Sequence, residues 1–511
     1  MPSPDRAGRL ALIAALAFFV ALALFGQRVH WVEEAGTAER DGYVAQAESI
    51  LAGTLPRDPF RPLLYPLLTA GLTFVVGSPF AAARLISNFA AAILAWQCWA
   101  FGRRLGGNAV GAWAMALAAV NPNLWILGQH VSTDMLFGAL AAGALLAGLA
   151  YLQAPRPGSA LVAGLLLGLA AFTRSNAIFL VPALLVAWWL ASRERRRIGH
   201  LAGAAVLACL VLVPHWGLRQ AVFGDPFHDE NWKNLAWKLH GYPDWSYLDR
   251  VPYSGLLEVV RDDPGAVLNG GLSELLRFLL GFQGGMAQLL GTWVHVLFFL
   301  AGLWFAVRAR PREAGWLVFA WSSFLLAVAF SFFTWGRLLL LLIPPSYGLM
   351  FYRVAAPIRG WSRRAETLVA LGLVGLLAVK TFAFRLPAFV DRHPYREVAV
   401  LQRLDDSLPP GPALAGTSPF LGRYLGRRYL ALPDAFGPEI EDPRLYYQKI
   451  EPLLRRSGAA YLVAGQVDLR DRPASLVEGN APVPWLQLVS REDGVTVWRI
   501  HSTAKGPQIQ K

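Results

Sequence analysis

Two acidic residues stand at the starts of predicted helices in an otherwise apolar chain. Asp41 opens the stretch DGYVAQAESILAG, and Asp134 begins an apolar run after a Ser-Thr pair. An acidic side chain at a helix start satisfies free N–H groups and suits the positive end of the helix, so capping is the simpler interpretation of both. A carboxylate can also serve as general base for a hydroxyl group, and Glu39 is an alternative to Asp41 in that catalytic role. The same region also contains the acids Glu33, Glu34, Glu48 and Asp58, so the sequence leaves open which acid matters.

A divalent metal ion is a second use for the same carboxylates. His130 lies one turn before Asp134, and oxygen and imidazole groups can hold such a cation. No ligand spacing typical of a metal motif accompanies these residues. The sequence therefore leaves open whether a divalent metal cation binds at Asp41 and Asp134.

Four arginines stand at the ends of apolar runs, namely Arg61, Arg174, Arg219 and Arg337. An isolated cation at membrane depth is costly, and a phosphate partner offsets that cost. Guanidinium groups also bind phosphate in a bidentate fork. Arg61 has a simpler interpretation as a snorkelling anchor for a shallow helix. As a set, the four arginines predict a binding site for the phosphate group of a lipid.

Two loops contribute further candidate contacts to a substrate. The stretch FHDENWKN contains His228, Asn231 and Trp232. The aromatic residues of this loop are typical of an interfacial belt, which is the simpler interpretation. The aromatic residues can also stack on the apolar faces of sugars, while His228, Asp229, Glu230 and Asn231 can bond hydroxyl groups. Tyr43 and Tyr65 in the first loop are candidates for the same kind of contact.

The composition places these residues in a membrane protein. Of the 511 residues, 55% are apolar and only 16% are charged, whereas about a quarter of the residues in soluble proteins are charged. Several windows reach the ~20 apolar residues that cross a bilayer. The net charge of +13 lies mostly in short basic loops, which indicates orientation in a membrane and not nucleic-acid binding. Both cysteines, Cys98 and Cys209, lie inside apolar runs, so no disulfide framework is predicted.

The basic loops predict a topology. The positive-inside rule places all of them on the cytoplasmic side. All these loops can lie on the same side only if one early apolar segment does not cross the membrane. Residues 62–76 are the candidate, because they are shorter than the ~17-residue minimum for a span and contain two prolines near their start. Roughly eleven spans remain by the length criterion. They are the first helix and the segments near 80–101, 109–130, 134–152, 159–173, 176–191, 200–218, 287–307, 314–333, 337–352 and 366–384.

This topology places the candidate acids and arginines at one membrane face. The predicted outer regions are 27–79, the turn at 130–134, the loop 219–286 and the tail 386–511. The tail has shorter apolar runs, PALAG, AAYLVAG and VTVWRI, which are of strand length, with helical patterns such as RLYYQKIEPLLRR between them. These patterns predict a small α/β domain. The predicted fold is an all-α polytopic membrane core, residues 1–385, followed by an extracytoplasmic α/β domain.

The order of these features resembles the GT-C membrane glycosyltransferases that use polyprenyl-phosphate sugars. The resemblance is closest to the bacterial branch with lipid A aminoarabinose transferases and protein O-mannosyltransferase-like enzymes, and it spans roughly residues 8–385. Its markers are the acidic residue before Tyr43, followed by FRPLLYP, GSPFAAARLISNFAA, STDMLF and GRLLLLLIPP. None of these stretches is a sharp motif alone, and their order and topology carry the match.

The resemblance implies roles for several residues. The first-loop carboxylate acts as the base and maps best to Asp41, but the family pattern has its acids three or four residues before the tyrosine, which keeps Glu39 open. Asp134 matches the family's second outer acid. Arg61 and Arg337 match basic residues of the family, and Arg61 looks like a contact to the lipid phosphate. The expected place is the bacterial inner membrane, with the site outside the cytoplasm.

The predicted function is an inverting sugar transfer from a polyprenyl phosphate to an extracytoplasmic lipid, glycan or protein. A sugar on a lipid phosphate has a good leaving group that needs charge stabilisation, and the acceptor hydroxyl needs one general base. A transporter or flippase for a lipid-linked sugar is the alternative. It would need polar residues through the membrane and repeated halves, and neither is evident in the sequence.

Overall fold

The computed structural model describes residues 6–28, 42–58, 60–191, 198–240, 253–281, 285–331, 333–334, 336–354, 363–390, 403, 413–416, 429–432, 442–465, 473–481, 483–492 and 495–501. These residues divide into two compact units. The larger unit is helical and takes its described residues from 6–235 and 255–390. Most of the smaller unit comes from the residues after 391.

The larger unit is a bundle of apolar helices with short polar connections. In chain order the helices of its first half are Arg6–Arg28, Tyr43–Leu51, Leu64–Val76, Pro79–Gly106, Asn108–Ala119, Pro122–Gly128, Thr133–Gln153, Pro157–Ala171, the 3₁₀ helix Ser175–Leu180, Val181–Ala191 and Ile198–Phe223. Those that follow are Lys233–His240, Leu256–Asp262, Pro264–Leu280, Met286–Leu290, Trp293–Ala309, Pro311–Ser331, the 3₁₀ helix Gly336–Leu342, Ile343–Val354, Arg363–Val379, the π-helix Lys380–Arg385 and Leu386–Val390.

Six described helices are long and apolar enough to cross a membrane, or seven if one bent pair counts as a span. Four further apolar helices, including Leu64–Val76 and Trp293–Ala309, are shorter. Leu64–Val76 has 13 residues, as predicted for the segment that does not cross, and its membrane depth stays a prediction. The predicted all-α membrane fold with a small α/β part is confirmed, and the count of eleven spans stays a prediction.

Several apolar segments are broken where a continuous span was predicted. The segment predicted at 109–130 bends by 53° between Ala119 and Pro122. The bend follows from Asn121, whose side chain accepts the N–H of Asn123 and caps the new helix, with a proline at its first position. Asn121 Nδ2 also donates to Tyr347 Oη at 2.6 Å and to Leu289 O at 3.0 Å. These bonds satisfy backbone groups that a break exposes in an apolar interior.

Small residues bring the central helices together. A side chain at Gly102 would begin 2.8 Å from the Cα of Gly111, so only glycine permits this approach between Pro79–Gly106 and Asn108–Ala119. Close backbone contact through small residues is the usual way in which membrane helices pack. Pro79–Gly106 and Thr133–Gln153 are largely buried, whereas Ile198–Phe223 exposes most of its apolar surface. The buried pair forms the frame on which the candidate site rests.

The smaller unit contains a five-stranded mixed sheet in the order β2-β1-β3-β5-β4. The strands are β1 (Ala413–Gly416), β2 (Tyr429–Ala431), β3 (Ala459–Gly465), β4 (Leu486–Glu492) and β5 (Val495–Ile500), with the helices Pro443–Ser457 and Ala474–Glu478 between them. β1 pairs in parallel with β2 and β3, while β5 is antiparallel to β3 and β4. Three strands and the longer helix match the predicted stretches, and β2 and β4 were not predicted.

Candidate active site

Asp134 stands in the first turn of Thr133–Gln153, and its side chain is only 2% exposed. Ser132 occupies the N-cap position with extended backbone, and its hydroxyl donates to Asp134 Oδ2 at 3.0 Å. A negative charge is favourable at a helix N-terminus. The predicted position at a helix start is therefore correct, but the carboxylate also has partners that are distant in sequence.

Two arginines converge on this carboxylate. Arg174 Nη1 donates to Asp134 Oδ1 in a short contact, and the same nitrogen lies 3.3 Å from Thr133 Oγ1. Arg337 Nη1 lies 4.0 Å from Asp134 Oδ2. Arg174 follows the helix Pro157–Ala171, and Arg337 begins a 3₁₀ helix, so each guanidinium extends from a helix end. Both arginine side chains remain 24–33% exposed, so part of each guanidinium is available to a ligand.

Tyr43 and Tyr65 attach the predicted first outer loop to the helices Thr133–Gln153 and Pro79–Gly106. Tyr43 Oη and Thr133 Oγ1 share a hydrogen bond of 3.0 Å, and the two tyrosine rings meet edge to face at 5.4 Å. Tyr65 Oη donates to Ala83 O at 2.8 Å and lies 3.1 Å from Ser87 Oγ. Both tyrosines are buried, and these bonds fix the helices Tyr43–Leu51 and Leu64–Val76 against the frame.

Arg61 lies beside Tyr43 and is held by the carboxylate of Asp58, one of the acids whose role the sequence left open. Its Cζ is 5.7 Å from the centroid of the Tyr43 ring, within cation–π range. Its Nη1 donates to Asp58 Oδ2 at 2.9 Å. The N–H of Leu64 bonds Phe172 O at 3.0 Å, which ties the segment after Arg61 to the chain just before Arg174.

Arg219 and Asn231 support this turn from the other side. Arg219 is 2% exposed, and its Nη1 donates to Asp58 O at 2.8 Å. Asn231 Nδ2 donates to Phe60 O at 2.8 Å and to Asp229 Oδ1 at 2.6 Å. The structure thus shows Arg219 bonded to backbone, whereas Arg174 and Arg337 form ion pairs with Asp134.

The other residues predicted to contact substrate are His228, Trp232 and His130. The His228 ring stacks on Phe223 with centroids 4.4 Å apart, and its Nε2 lies 3.6 Å from Glu230 Oε1. Trp232 is half-buried, and its carbonyl accepts the N–H of Leu235. His130 accepts a bond from Ser87 Oγ at its carbonyl, while its ring lies 6.2 Å from that of Phe389. These contacts place His228 against Phe223 and the ring of His130 near Phe389.

Burial raises the pKa of Asp229 above its ordinary value, and bonds from Asn231, the charge of Arg219 and a bond from Ser175 oppose that rise. Ser175 directly follows Arg174, and Asp229 is bonded to Asn231, which contacts the Arg61 turn. Asp229 is therefore a further carboxylate beside the arginines. The sequence predicted Asp229 as a contact to a sugar hydroxyl, but its approach to Ser175 could not be predicted because the two residues are far apart in sequence.

Glu39 and Asp41 lie outside the described residues. The helix that follows them begins at Tyr43 with Gly42 in the left-handed region at φ 67°, so the chain enters the helix through a turn that favours glycine. Gly53 lies two residues after this helix ends at Leu51, and its φ of 73° is typical of the glycine that terminates a helix. The choice of base between the two acids stays a prediction.

The residues around Asp134 do not favour a metal site in this arrangement. Among the described residues, no group of three or more His, Cys, Asp or Glu side chains lies close enough to hold a metal ion. Both carboxylate oxygens of Asp134 already face donors from Ser132, Arg174 and Arg337. Metal binding at Asp41 and Asp134 stays a prediction, and no chemical step below depends on it.

An apolar cavity reaches the chain neighbours of two of the arginines. Its volume is about 550 Å³, and its walls come mainly from the helices Pro157–Ala171, Val181–Ala191 and Ile198–Phe223. Pro62 and Ser175 also line it, and they directly follow Arg61 and Arg174 in the chain. The cavity therefore connects the apolar bundle with residues next to this group of charged side chains.

Comparisons with known proteins agree with this architecture. Residues 60–217 match the family model described as dolichyl-phosphate-mannose-protein mannosyltransferase. No curated protein matches the chain by sequence. The matched segment contains Arg61, Asp134 and Arg174, which is most of the arginine–carboxylate group.

Three solved structures share the fold at low sequence identity. ArnT from Cupriavidus metallidurans in the apo state is 15% identical, with a TM-score of 0.59 over 98% of this chain and 100% of that one. The same protein bound to undecaprenyl phosphate is 16% identical, with a TM-score of 0.56 over 96% and 99%. The apo oligosaccharyltransferase of Archaeoglobus fulgidus is 12% identical, with a TM-score of 0.52 over 88% and 69%. The predicted resemblance to GT-C membrane glycosyltransferases is confirmed.

Proposed function

We propose that this chain is an inverting glycosyltransferase that moves a sugar from a polyprenyl phosphate to an acceptor hydroxyl outside the cytoplasm. The observation that carries the proposal is the pair of arginines, Arg174 and Arg337, held by one buried carboxylate, with an apolar cavity that reaches Ser175, next to Arg174 in the chain. Guanidinium groups at the end of an apolar space suit a lipid whose head is a phosphate. The family description names a polyprenyl-linked mannose donor of this kind, and ArnT binds undecaprenyl phosphate.

The arginines act on the leaving group. When the bond between the sugar and the phosphate breaks, negative charge grows on the phosphate oxygens. Arginines that are already oriented stabilise that charge without reorganising, which is the most effective form of electrostatic catalysis. Asp134 orients Arg174 and Arg337, and Arg61 approaches from the first outer loop. Asp134 then serves as a positioning residue within the predicted catalytic set.

The acceptor side needs one general base. Asp41 or Glu39, just before Tyr43, would take the proton from the acceptor hydroxyl as it attacks the anomeric carbon. A single in-line displacement of this kind inverts the configuration. A retaining reaction would need a second carboxylate as nucleophile. The two arginines that hold Asp134 make it poorly suited to that second role.

The apolar cavity suits the polyprenyl chain of the donor. Burial of each CH₂ contributes about 0.8 kcal/mol, so even part of a long isoprenoid tail contributes substantially to binding. The chain-adjacent pairs Arg61–Pro62 and Arg174–Ser175 would put the phosphate at the mouth of that cavity. The basic loops favour an outward-facing site by the positive-inside rule, and the proposed location is the bacterial inner membrane.

Reconstitution in proteoliposomes tests the proposal. Vesicles that contain the full chain, lipid-linked sugars extracted from bacterial membranes and an envelope extract as acceptor should release polyprenyl phosphate as sugar is transferred. Arg174→Gln should abolish this release, whereas Arg156→Gln, an exposed arginine elsewhere, should not. Movement of the lipid-linked sugar across the bilayer without any transfer would instead favour a flippase. Mass spectrometry of envelope glycans from a deletion strain would then identify the sugar and the acceptor.

A further inference from the structure

The carboxylate of Asp58, in the predicted first outer loop, accepts four hydrogen bonds. Its Oδ1 accepts the N–H groups of Phe60 and Arg61 at 2.8 and 2.9 Å. Its Oδ2 accepts Gln46 Nε2 at 2.8 Å and Arg61 Nη1 at 2.9 Å. The side chain is only 14% exposed. Four donors on one carboxylate define both the turn and the direction of the Arg61 side chain.

The backbone around Asp58 is fixed independently of that carboxylate. The buried side chain of Arg219 donates to the Asp58 carbonyl at 2.8 Å, and Asn231 donates to the Phe60 carbonyl at 2.8 Å. Both donors come from chain segments far from the turn in sequence. The carboxylate therefore starts from a fixed backbone position, and its bond to Arg61 sets where the guanidinium lies.

Asp58 also connects the two sides of the proposed reaction. The same oxygen, Oδ2, accepts from Gln46 in Tyr43–Leu51 and from Arg61. That helix begins just after the two candidate bases, while Arg61 is the candidate phosphate ligand. The Arg61 guanidinium also lies over the Tyr43 ring. A shift of Asp58 would move the phosphate ligand relative to the start of the helix.

We propose that Asp58 is a positioning residue that orders Arg61 for the phosphate of the lipid donor. This inference rests on the proposed function. Ordering Arg61 in advance removes rotamer freedom that binding would otherwise have to remove. The negative charge of Asp58 partly neutralises Arg61, and this weakens the attraction of Arg61 for a phosphate. Because four bonds hold the turn, the gain from ordering exceeds this loss.

Binding of undecaprenyl phosphate to the full chain in detergent micelles tests the inference. Asp58→Asn keeps an oxygen for the two N–H groups and loses the charged bond to Arg61. It should weaken binding about 3- to 10-fold, as expected for loss of a charge-assisted hydrogen bond. Glu274→Gln is the matched control, since Glu274 also holds an arginine three residues later and accepts a backbone N–H. It should change binding less than about 2-fold.

A double-mutant cycle separates positioning from general structural damage. In an Arg61→Ala background, Asp58→Asn should have no further effect on binding, because its target is gone. An equal effect in both backgrounds, or tighter binding by Asp58→Asn alone, would overturn the inference and leave the proposed function intact. If Arg61→Ala itself does not weaken binding, the phosphate role of Arg61 fails and the inference fails with it. Thermal unfolding midpoints of all variants check that the chains are folded.

Discussion

Asp134 and Asp58 are two carboxylates that hold arginines in opposite ways. Asp134 is 2% exposed, and its arginines are distant in sequence, with Arg174 40 positions away and Arg337 farther still. Asp58 is 14% exposed and holds Arg61 three positions later, together with the N–H groups of its own turn. Asp134 therefore determines how separate helices meet, whereas Asp58 determines the shape of one local segment.

The difference predicts unequal consequences of losing each carboxylate. A buried ion pair that loses one partner leaves an uncompensated charge, which typically costs about 3–5 kcal/mol. A partly exposed local pair is screened by water and costs much less. Damage at Asp134 should spread to three helix ends, while damage at Asp58 should stay within the turn.

The largest expected effect is that of Asp134→Asn. Two arginines would lose their shared counter-charge, and sugar transfer should fall more than about 100-fold, as when a preorganised charge stabiliser is lost. Transfer assays with the full chain in proteoliposomes measure this fall, and Asp134→Glu would test whether charge alone suffices. Near-normal transfer by Asp134→Asn would mean that the two carboxylates are equivalent and would break the comparison.

Arg174→Lys should have the next largest effect. Lysine keeps the charge and loses the planar fork, so it cannot bond Asp134, Thr133 and a phosphate at once. We expect transfer to fall about 10- to 100-fold. Arg156→Lys is the control, since Arg156 is exposed. A fall of similar size for the control would indicate a general dependence on arginine and not on this site.

Tyr43→Phe should have a moderate effect that sharpens the link between the two carboxylates. It removes the hydroxyl bonded to Thr133, beside Asp134, while the ring remains next to Arg61. Loss of one such bond costs about 1 kcal/mol, or a fall in transfer of about 5-fold.

Tyr447→Phe is the matched control for Tyr43→Phe. The Tyr447 hydroxyl bonds Ser475 at 2.9 Å in the smaller unit, and burial raises the pKa of Tyr447 to about 12, with the Ser475 bond opposing the rise. This variant should lower the unfolding midpoint without changing transfer. Equal losses of transfer in the two variants would contradict a specific role for Tyr43.

The smallest expected effect concerns Glu274, whose pairing is intermediate between the two. Burial alone would raise its pKa, but bonds from Arg277 and Thr334 outweigh burial and hold the pKa below its ordinary value of 4.5. The carboxylate therefore stabilises the fold above that value, and this contribution is lost as the pH falls through the lower pKa of the folded state. Unfolding midpoints between neutral and acidic pH should fall less in Glu274→Gln than in the parent chain. Identical pH profiles would show that the pair contributes nothing.

The sequence predicted elements better than it predicted partners. The strands Ala459–Gly465 and Val495–Ile500 and the helix Pro443–Ser457 follow from local apolar patterns, and the structure confirms them. The bend before Pro122 was missed, although an asparagine before a proline is a turn signal. The three-residue strand Tyr429–Ala431 is too short for any periodic pattern to show.

In the candidate site, too, the sequence predicted residues better than it predicted their partners. A charged residue at the end of an apolar run is visible in one sequence, so the arginines were found. Which carboxylate each arginine meets depends on how distant helices pack, so the pairs of Asp134 with Arg174 and Arg337 could not be read from spacing. The turn at Asp58 did have a local signal in the sequence. An aspartate typically accepts the N–H groups two and three residues later, here those of Phe60 and Arg61, and so forms a turn.

The apolar cavity has a consequence for how the rate depends on substrate. Its walls are apolar helices, and it reaches Pro62 and Ser175 beside two of the arginines, so a lipid donor that occupies it would come from the bilayer. Encounters then occur in two dimensions. We expect the rate to follow the mole fraction of donor in the membrane, and dilution of the vesicles in buffer to leave it unchanged. Adding inert phospholipid at a fixed amount of donor should slow the reaction, as surface dilution kinetics require.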